Sequence, residues 1–308
     1  MVFAEDFPKS VFRSPINCRR GVSTLSVVAI VSIIAVIGLG LAALLLRPDS
    51  RQSEHTETVR IYCASGLVQP LEEIVMQYND SHDSDVAIVR AGGSGELAGQ
   101  IKAEFELRTA RGADVYISAD EQLIVHAQLE GRVSHTIGLA RQRPVIAVAA
   151  DRDDLVVANL NELVNDRKLK FGVASRRAAI GHLTRMIAQR DGLLDLLESR
   201  KSIDAENVMT LAQALRVGSL DAAIVWDTTV QQMNQLDMAN GSSGNPIFKI
   251  AAPVDSQNQL HSLITIGVLS STLSEQSSLD FANYLHRSDE ARAIFQEAGF
   301  DVLEILKP

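Results

Sequence analysis

From residue 58 onward, short apolar runs rich in β-branched residues alternate with longer stretches whose apolar side chains recur three and four apart. The short runs predict strands at 58–64, 85–91, 113–118, 144–150, 170–174, 221–226, 247–251 and 262–269. Between them the period becomes helical. Leu67, Leu71, Ile74, Val75 and Tyr78 share one face, and Leu97, Ile101 and Phe105 share another. Such patterns predict helices at 67–80, 97–106, 120–130, 181–190, 210–217 and 274–286. A last helix has Ser288 as its N-cap, Asp289 and Glu290 in its first turn, and Gly299 just past its end. Alternation of this kind predicts an α/β fold with mostly parallel sheets. Roughly 250 residues suffice for two lobes, expected at 58–139 plus 262–308 and at 140–261. Residues 240–245 read as a flexible loop, and there is no internal repeat.

Two of the strand-to-helix junctions carry a serine among small residues: Ala64-Ser65-Gly66-Leu67 and Gly92-Gly93-Ser94-Gly95. A serine at a helix start offers a hydroxyl beside unpaired backbone N–H groups, at the positive end of the helix dipole. Two such corners, at the carboxyl ends of neighbouring strands, form a cradle for an oxyanion, and the glycines let an anion approach the backbone. Serine is also a common N-cap, so plain capping competes with this reading at each site. Ala178-Ala179-Ile180-Gly181 precedes another helix, whose first N–H groups point out of its start. Trp226, the sole tryptophan, ends the strand at 221–226. Its indole N–H can donate but not accept, and a plain core position is the alternative. In 112–120 a strand ends in a small-residue corner, where Asp120 is expected to cap the next helix and the corner to build its lobe rather than touch ligand.

Enzyme chemistry finds little support. Gly92-Gly93-Ser94-Gly95-Glu96 departs from the G-x-S-x-G elbow, because Glu96 stands at the last glycine position. No phosphate-loop or dinucleotide fingerprint occurs. The seven histidines include no pair at helical spacing, and Cys18 and Cys63 are too few for a zinc site. No catalytic residue, metal or cofactor is therefore expected.

Residues 22–46 carry no charge over 25 positions. As a helix they would span about 37 Å, enough to cross a hydrocarbon core of about 30 Å with some tilt. Lys9, Arg13, Arg19 and Arg20 precede the run, which places 1–21 in the cytoplasm and the body outside. Residues 47–57 are polar and read as a linker. A retained anchor is expected, with a cleaved signal peptide and a soluble periplasmic body as the alternative, because the run exceeds the usual signal core. The anchor puts Cys18 and Cys63 on opposite sides of the membrane, so no disulfide joins them. The chain carries −9 overall, and residues 1–46 contribute +2, leaving −11 on the rest. An acidic exported body argues against nucleic acid and anionic lipid as partners. It can still hold an anion through neutral donors, whose effect is local.

With these residues in order, the chain resembles the molybdate-binding proteins of ABC importers, a branch of the type II periplasmic binding proteins. The resemblance covers most of 58–300. It rests on Ala64-Ser65-Gly66-Leu67, on Gly93-Ser94-Gly95-Glu96-Leu97 with Gln100-Ile101, on the strand and corner at 112–120, and on the closing helix and tail at 291–300. It implies a two-lobed α/β body of that type behind an N-terminal transmembrane helix. In that family two serine hydroxyls and backbone N–H groups from both lobes hold a tetrahedral oxyanion. Ser65 and Ser94 fall on the serine positions. Ile180 falls on a backbone donor within a Pro-Ala-Gly segment, which here reads Ala179-Ile180-Gly181. Val208, beside Asn207, falls on a second backbone donor, and Trp226 stands where the family usually has a tyrosine. Implied with these are binding of molybdate or tungstate without catalysis, closure of the lobes about a hinge, and delivery by a monomer to a permease and its ATPase. A membrane-anchored sensor or binding relative for another oxyanion such as sulfate, without a transport role, is the competing reading.

Overall fold

A computed structural model describes residues 58–82, 85–108, 112–241, 245–257 and 260–305. The expected cytoplasmic segment, anchor and linker at 1–57, Cys18, and residues 242–244 of the expected loop lie outside the described residues. Among the described residues no helix is long and apolar enough to cross a membrane. Strands are β1 (Val59–Ala64), β2 (Val86–Gly92), β3 (Val115–Ser118), β4 (Val133–Gln142), β5 (Pro144–Ala149), β6 (Phe171–Ala174), β7 (Ile203–Ala205), β8 (Ala222–Trp226), β9 (Phe248–Pro253), β10 (Ser262–Leu269) and β11 (Asp301–Val302). Helices are α1 (Val68–Ser81), α2 (Ser94–Leu107), α3 (Glu121–Leu129), α4 (Leu160–Asn165), α5 (Ala179–Arg190), α6 (Leu194–Arg200), α7 (Val208–Arg216), α8 (Asp227–Ala239), α9 (Glu275–Arg287) and α10 (Asp289–Glu297), with a 3₁₀ turn at Ser65–Leu67.

Two sheets result, in the orders β11-β4-β10-β3-β1-β2 and β7-β6-β8-β5-β9. Each sheet with its helices is a lobe. The sheets are mixed, not mostly parallel as the alternation predicts. In the first, β1 is parallel to β2 and β3, while β10 is antiparallel to β3 and β4, and β11 to β4. In the second, β6 is parallel to β7 and β8, while β5 is antiparallel to β8 and β9. The cause is the double crossing between lobes. The chain leaves the first sheet at the end of β4 and re-enters at the start of β10, where Gln142 pairs with Ser262. It enters the second sheet on β5 and leaves on β9, where Val145 pairs with Pro253. Crossings that lie side by side force opposite strand directions, and hydrophobic periodicity carries no sign of direction.

Helices cover both faces of the first sheet, which is why β1 and β3 read as continuous apolar runs. On one face α2 and α3 pack with Tyr62, Leu97, Ile101, Tyr116 and Ile124. On the other, Leu71, Ile74 and Tyr78 of α1 meet Phe281 of α9 and Phe295 of α10, with Tyr78 edge-on to Phe281. Phe105, expected on the buried face of its helix, is 40% exposed. Ser288 caps α10 by accepting the Ala291 N–H, and Gly299 follows that helix at φ +91, a conformation suited to glycine.

Candidate functional site

Ser65 and Ser94 begin their helical segments but cap neither. Ala64 and Gly93 hold the N-cap positions, and no side chain caps either start. Both hydroxyls are therefore available for other work. Ser94 is buried, at 1% exposure. Its Oγ accepts the Ala119 N–H at 3.1 Å, and its carbonyl accepts the Tyr116 hydroxyl at 2.6 Å. With Oγ already accepting, the hydroxyl hydrogen is left to donate. Burial holds the Tyr116 phenol above its ordinary pKa, so it stays a donor. The corner at 118–120 is thus part of the site. Asp120 caps α3 as expected, accepting the Gln122 N–H at 3.0 Å, but Ala119 lines the cavity, contrary to the purely structural role expected of that corner.

The second lobe presents backbone. Ile180 is the second residue of α5, whose start has no side-chain cap. Val208 opens α7, where Asn207 Oδ1 accepts the Thr210 N–H at 3.0 Å and leaves the earlier N–H groups of that turn unpaired by it. Trp226 ends β8 and is the N-cap residue of α8. It is 3% exposed, and its indole N–H has no hydrogen-bond partner among the described residues. Ser65, Ser94, Ile180, Val208 and Trp226 all line one cavity of about 20 Å³, together with Gly66, Gly93, Ala119, Gln142 and Asn207. No residue lining it is ionisable. The starts of α2, α5 and α7 meet there, and their dipoles favour negative charge. Among the described residues no group of acidic, histidine or cysteine side chains could hold a metal ion. Cys63 is buried and free, its thiol pushed up to about 12 by burial, and it is not among the lining residues.

The lobes touch through side chains, Gln231 and Gln235 donating to the Glu297 carbonyl at 2.6 and 2.7 Å, and through backbone beside the cavity. Gly95 N–H donates to the Arg177 carbonyl at 2.7 Å, and a Cβ at Gly95 would lie 2.5 Å from that oxygen. A Cβ at Gly93 would lie 3.1 Å from the Glu206 carbonyl, and one at Gly66 would lie 3.4 Å from Val208 Cγ1. The glycines of the serine corners therefore make room for the opposite lobe as well as for a ligand. At the rim, Asp120 Oδ2 lies 3.3 Å from His182 Nδ1. Behind α5, the buried Arg185 guanidinium donates to the carbonyls of Ala174 (2.6 Å) and Gly181 (3.0 Å) and to Glu198 (2.7 Å). It holds the Glu198 carboxyl down to about 2, with Lys201 assisting. This clamp fixes the turn that carries Ile180. Sequence reasoning missed Gln142 and Arg185. Gln142 ends a strand whose exposed polar residues give no strand pattern, and Arg185 looks like any helical arginine.

The family described as Bacterial extracellular solute-binding protein matches residues 59–301. A putative ABC transporter substrate-binding lipoprotein, YvgL of Bacillus subtilis, is 23% identical over 260 residues, covering 82% of this chain and 89% of its own. Among solved structures, the periplasmic molybdate-binding protein of Azotobacter vinelandii matches with a TM-score of 0.64 at 17% identity, covering 80% of this chain and 100% of that one. The periplasmic binding protein AfuA of Actinobacillus pleuropneumoniae, bound to fructose-6-phosphate, matches at 0.66 and 15% identity, covering 80% and 85%. At such identities the structural matches speak for the fold, which hosts different ligands. The family match extends over nearly the whole described body, and it makes this chain a member of the bacterial extracellular solute-binding proteins, which bind rather than catalyse.

Proposed function

We propose that the chain is an extracytoplasmic receptor that closes its lobes on a small, fully ionised tetrahedral oxyanion, molybdate or tungstate, and delivers it to the permease of an ABC importer. The observation that carries this reading is a small cavity lined by neutral donors and by no ionisable group. An anion leaving water needs about as many donors as it gives up, since each unmet polar group costs about 1–3 kcal/mol. The hydroxyls of Ser65 and Ser94, the N–H groups of Ile180 and Val208, and the indole of Trp226 are the proposed set. A metal cation would call for carboxylate, imidazole or thiolate, none of which lines the cavity. Protonated phosphate brings a hydrogen that must be accepted, and the lining includes no carboxylate to accept it.

The transport role follows the name of the B. subtilis relative, and the choice of ion follows the A. vinelandii protein. Residues 22–46 serve in this proposal as a retained anchor that keeps the receptor near its permease and raises its effective concentration. N-terminal sequencing of the membrane fraction tests the anchor: a mature chain starting near residue 48 rejects it. Calorimetry of the full-length protein in detergent against molybdate, tungstate, sulfate and phosphate tests the site. Molybdate and tungstate are expected to bind tightest, and phosphate binding as tightly as molybdate overturns the reading.

A further inference from the structure

We infer that Gln142 is a further ligand donor, placed in the strand that crosses between the lobes, and that its amide sets the site against oxyanions carrying a proton. The inference rests on the oxyanion reading of the cavity. Gln142 is the last residue of β4, one position before the chain leaves the first sheet. It is 3% exposed and lines the cavity. Its Oε1 accepts the hydroxyl of Thr228 at 3.0 Å, and Thr228 is itself 1% exposed on the first turn of α8, two residues after Trp226. Its amide nitrogen has no hydrogen-bond partner among the described residues. An amide whose oxygen is held by Thr228 and whose NH₂ is unpaired yet not sealed from solvent is left free to donate, and the cavity that Gln142 lines is where an acceptor can sit.

The consequence is chemical. An NH₂ group gives hydrogens and accepts none. An oxygen of a fully ionised anion satisfies it. A P–OH or As–OH group turned toward it leaves hydrogen facing hydrogen. The other proposed donors come from one lobe or the other, whereas Gln142 sits at the crossing itself. Thr228 acts through Gln142 as a positioning residue, by fixing which end of the amide faces the cavity.

The test is calorimetry of the full-length protein in detergent with molybdate and with phosphate. Gln142→Leu is expected to weaken molybdate binding roughly 10- to 100-fold, the range for hydrogen bonds to charged groups. Gln142→Glu keeps the shape but supplies an acceptor. It is expected to weaken molybdate further while strengthening phosphate relative to wild type, a reversal that mere loss of packing does not produce. Thr228→Val frees the amide to turn and is expected to lower the molybdate-to-phosphate preference by a smaller factor, which keeps the idea testable should the Gln142 variants fail to fold. Wild-type molybdate affinity in Gln142→Leu, or an unchanged preference in both Gln142→Glu and Thr228→Val, overturns the inference and leaves the oxyanion site standing. Absence of any oxyanion binding by the wild type removes both.

Discussion

The two walls of the cavity are built from different material. On the first lobe, Ser65 and Ser94 offer side-chain hydroxyls at strand ends, one of them keyed to the Ala119 N–H. On the second lobe, Ile180 and Val208 offer only main chain at helix starts, held from behind by groups such as Arg185 and Asn207. The first wall is written in residue types, while the second is written in backbone placement. One side should therefore respond to deletion of the named side chain, and the other to anything that moves the backbone.

Two glycine substitutions give the largest expected effects and separate backbone placement from lobe closure. A Cβ at Gly181 would lie 2.0 Å from the Ser175 carbonyl and 2.3 Å from that of Ala174, all within the second lobe. Gly181→Ala is expected to destabilise the fold by about 3 kcal/mol or more, read as a lower melting temperature without ligand. At Gly95 the clash is with Arg177 of the opposite lobe, 2.5 Å away, and the cross-lobe hydrogen bond goes with it. Gly95→Ala is expected to keep or raise the ligand-free melting temperature, since alanine favours a helix by up to about 1 kcal/mol over glycine, yet to lose oxyanion affinity at least about tenfold. A Gly95→Ala protein that binds normally shows that the lobe contact does not matter for holding ligand.

The contrast between walls is sharpened by matched side-chain deletions. Ser65→Ala is expected to weaken binding by about 1.5–3 kcal/mol. Ser94→Ala should cost at least as much, because the Ala119 N–H also loses its acceptor. Val208→Ala removes a buried side chain that packs near Gly66, so the melting temperature should fall, but its N–H remains and affinity should change by less than about 0.5 kcal/mol. Calorimetry with molybdate beside thermal melts of the same variants checks all three. Equal affinity losses for Ser65→Ala and Val208→Ala erase the proposed division.

The same division marks what could be read from the chain. Strand–serine–helix corners are visible because serine and glycine are distinctive at such junctions, and the final helix is visible through Ser288 and Gly299. The long β4 is hidden, since Ser134, His135 and Thr136 are exposed and break the apolar pattern. Strand direction in the mixed sheets comes from the double crossing, which no local pattern encodes. The Gln142–Thr228 hydrogen bond spans 86 positions and leaves no trace in spacing. Val208 came from resemblance alone, and Ile180 from a helix start together with the resemblance, because a backbone N–H has no residue-type signature.

In the proposed donor set Trp226 is the exception on the second wall, a side chain among backbone groups. Trp226→Tyr is expected to retain most of the affinity, because a phenol O–H can replace the indole N–H. Trp226→Phe is expected to lose part of the 1.5–3 kcal/mol that is typical of a charge-assisted hydrogen bond, at most about the loss for Ser65→Ala. As the sole tryptophan, its fluorescence should also change when molybdate closes the lobes. Equal affinities for the tyrosine and phenylalanine variants reduce the residue to a matter of shape.

The smallest expected effect is a pH dependence of closure, arising where the walls meet at the rim. The hydrogen bond from His182 to Asp120 raises the imidazole pKa above its ordinary value, against the opposing effect of burial. That bond joins α5 of one lobe to the cap of α3 in the other, so it exists only when the lobes are together. The closed form therefore binds the proton more tightly than the open form does. Its contribution to closure is complete below the open-state pKa of about 6.5 and is lost as pH rises through the raised value. Glu121, Arg141 and His261 line the same groove. The His182 side chain is about half exposed, so solvent screening keeps the effect under about 1 kcal/mol, or less than about fivefold in affinity. Molybdate affinity should thus decline slightly from about pH 6 to pH 8, and more weakly at high salt. His182→Gln should flatten that decline while leaving the affinity above pH 8 near that of wild type. An equal slope in the two proteins assigns the titration to another group and leaves the rim pair without a part in closure.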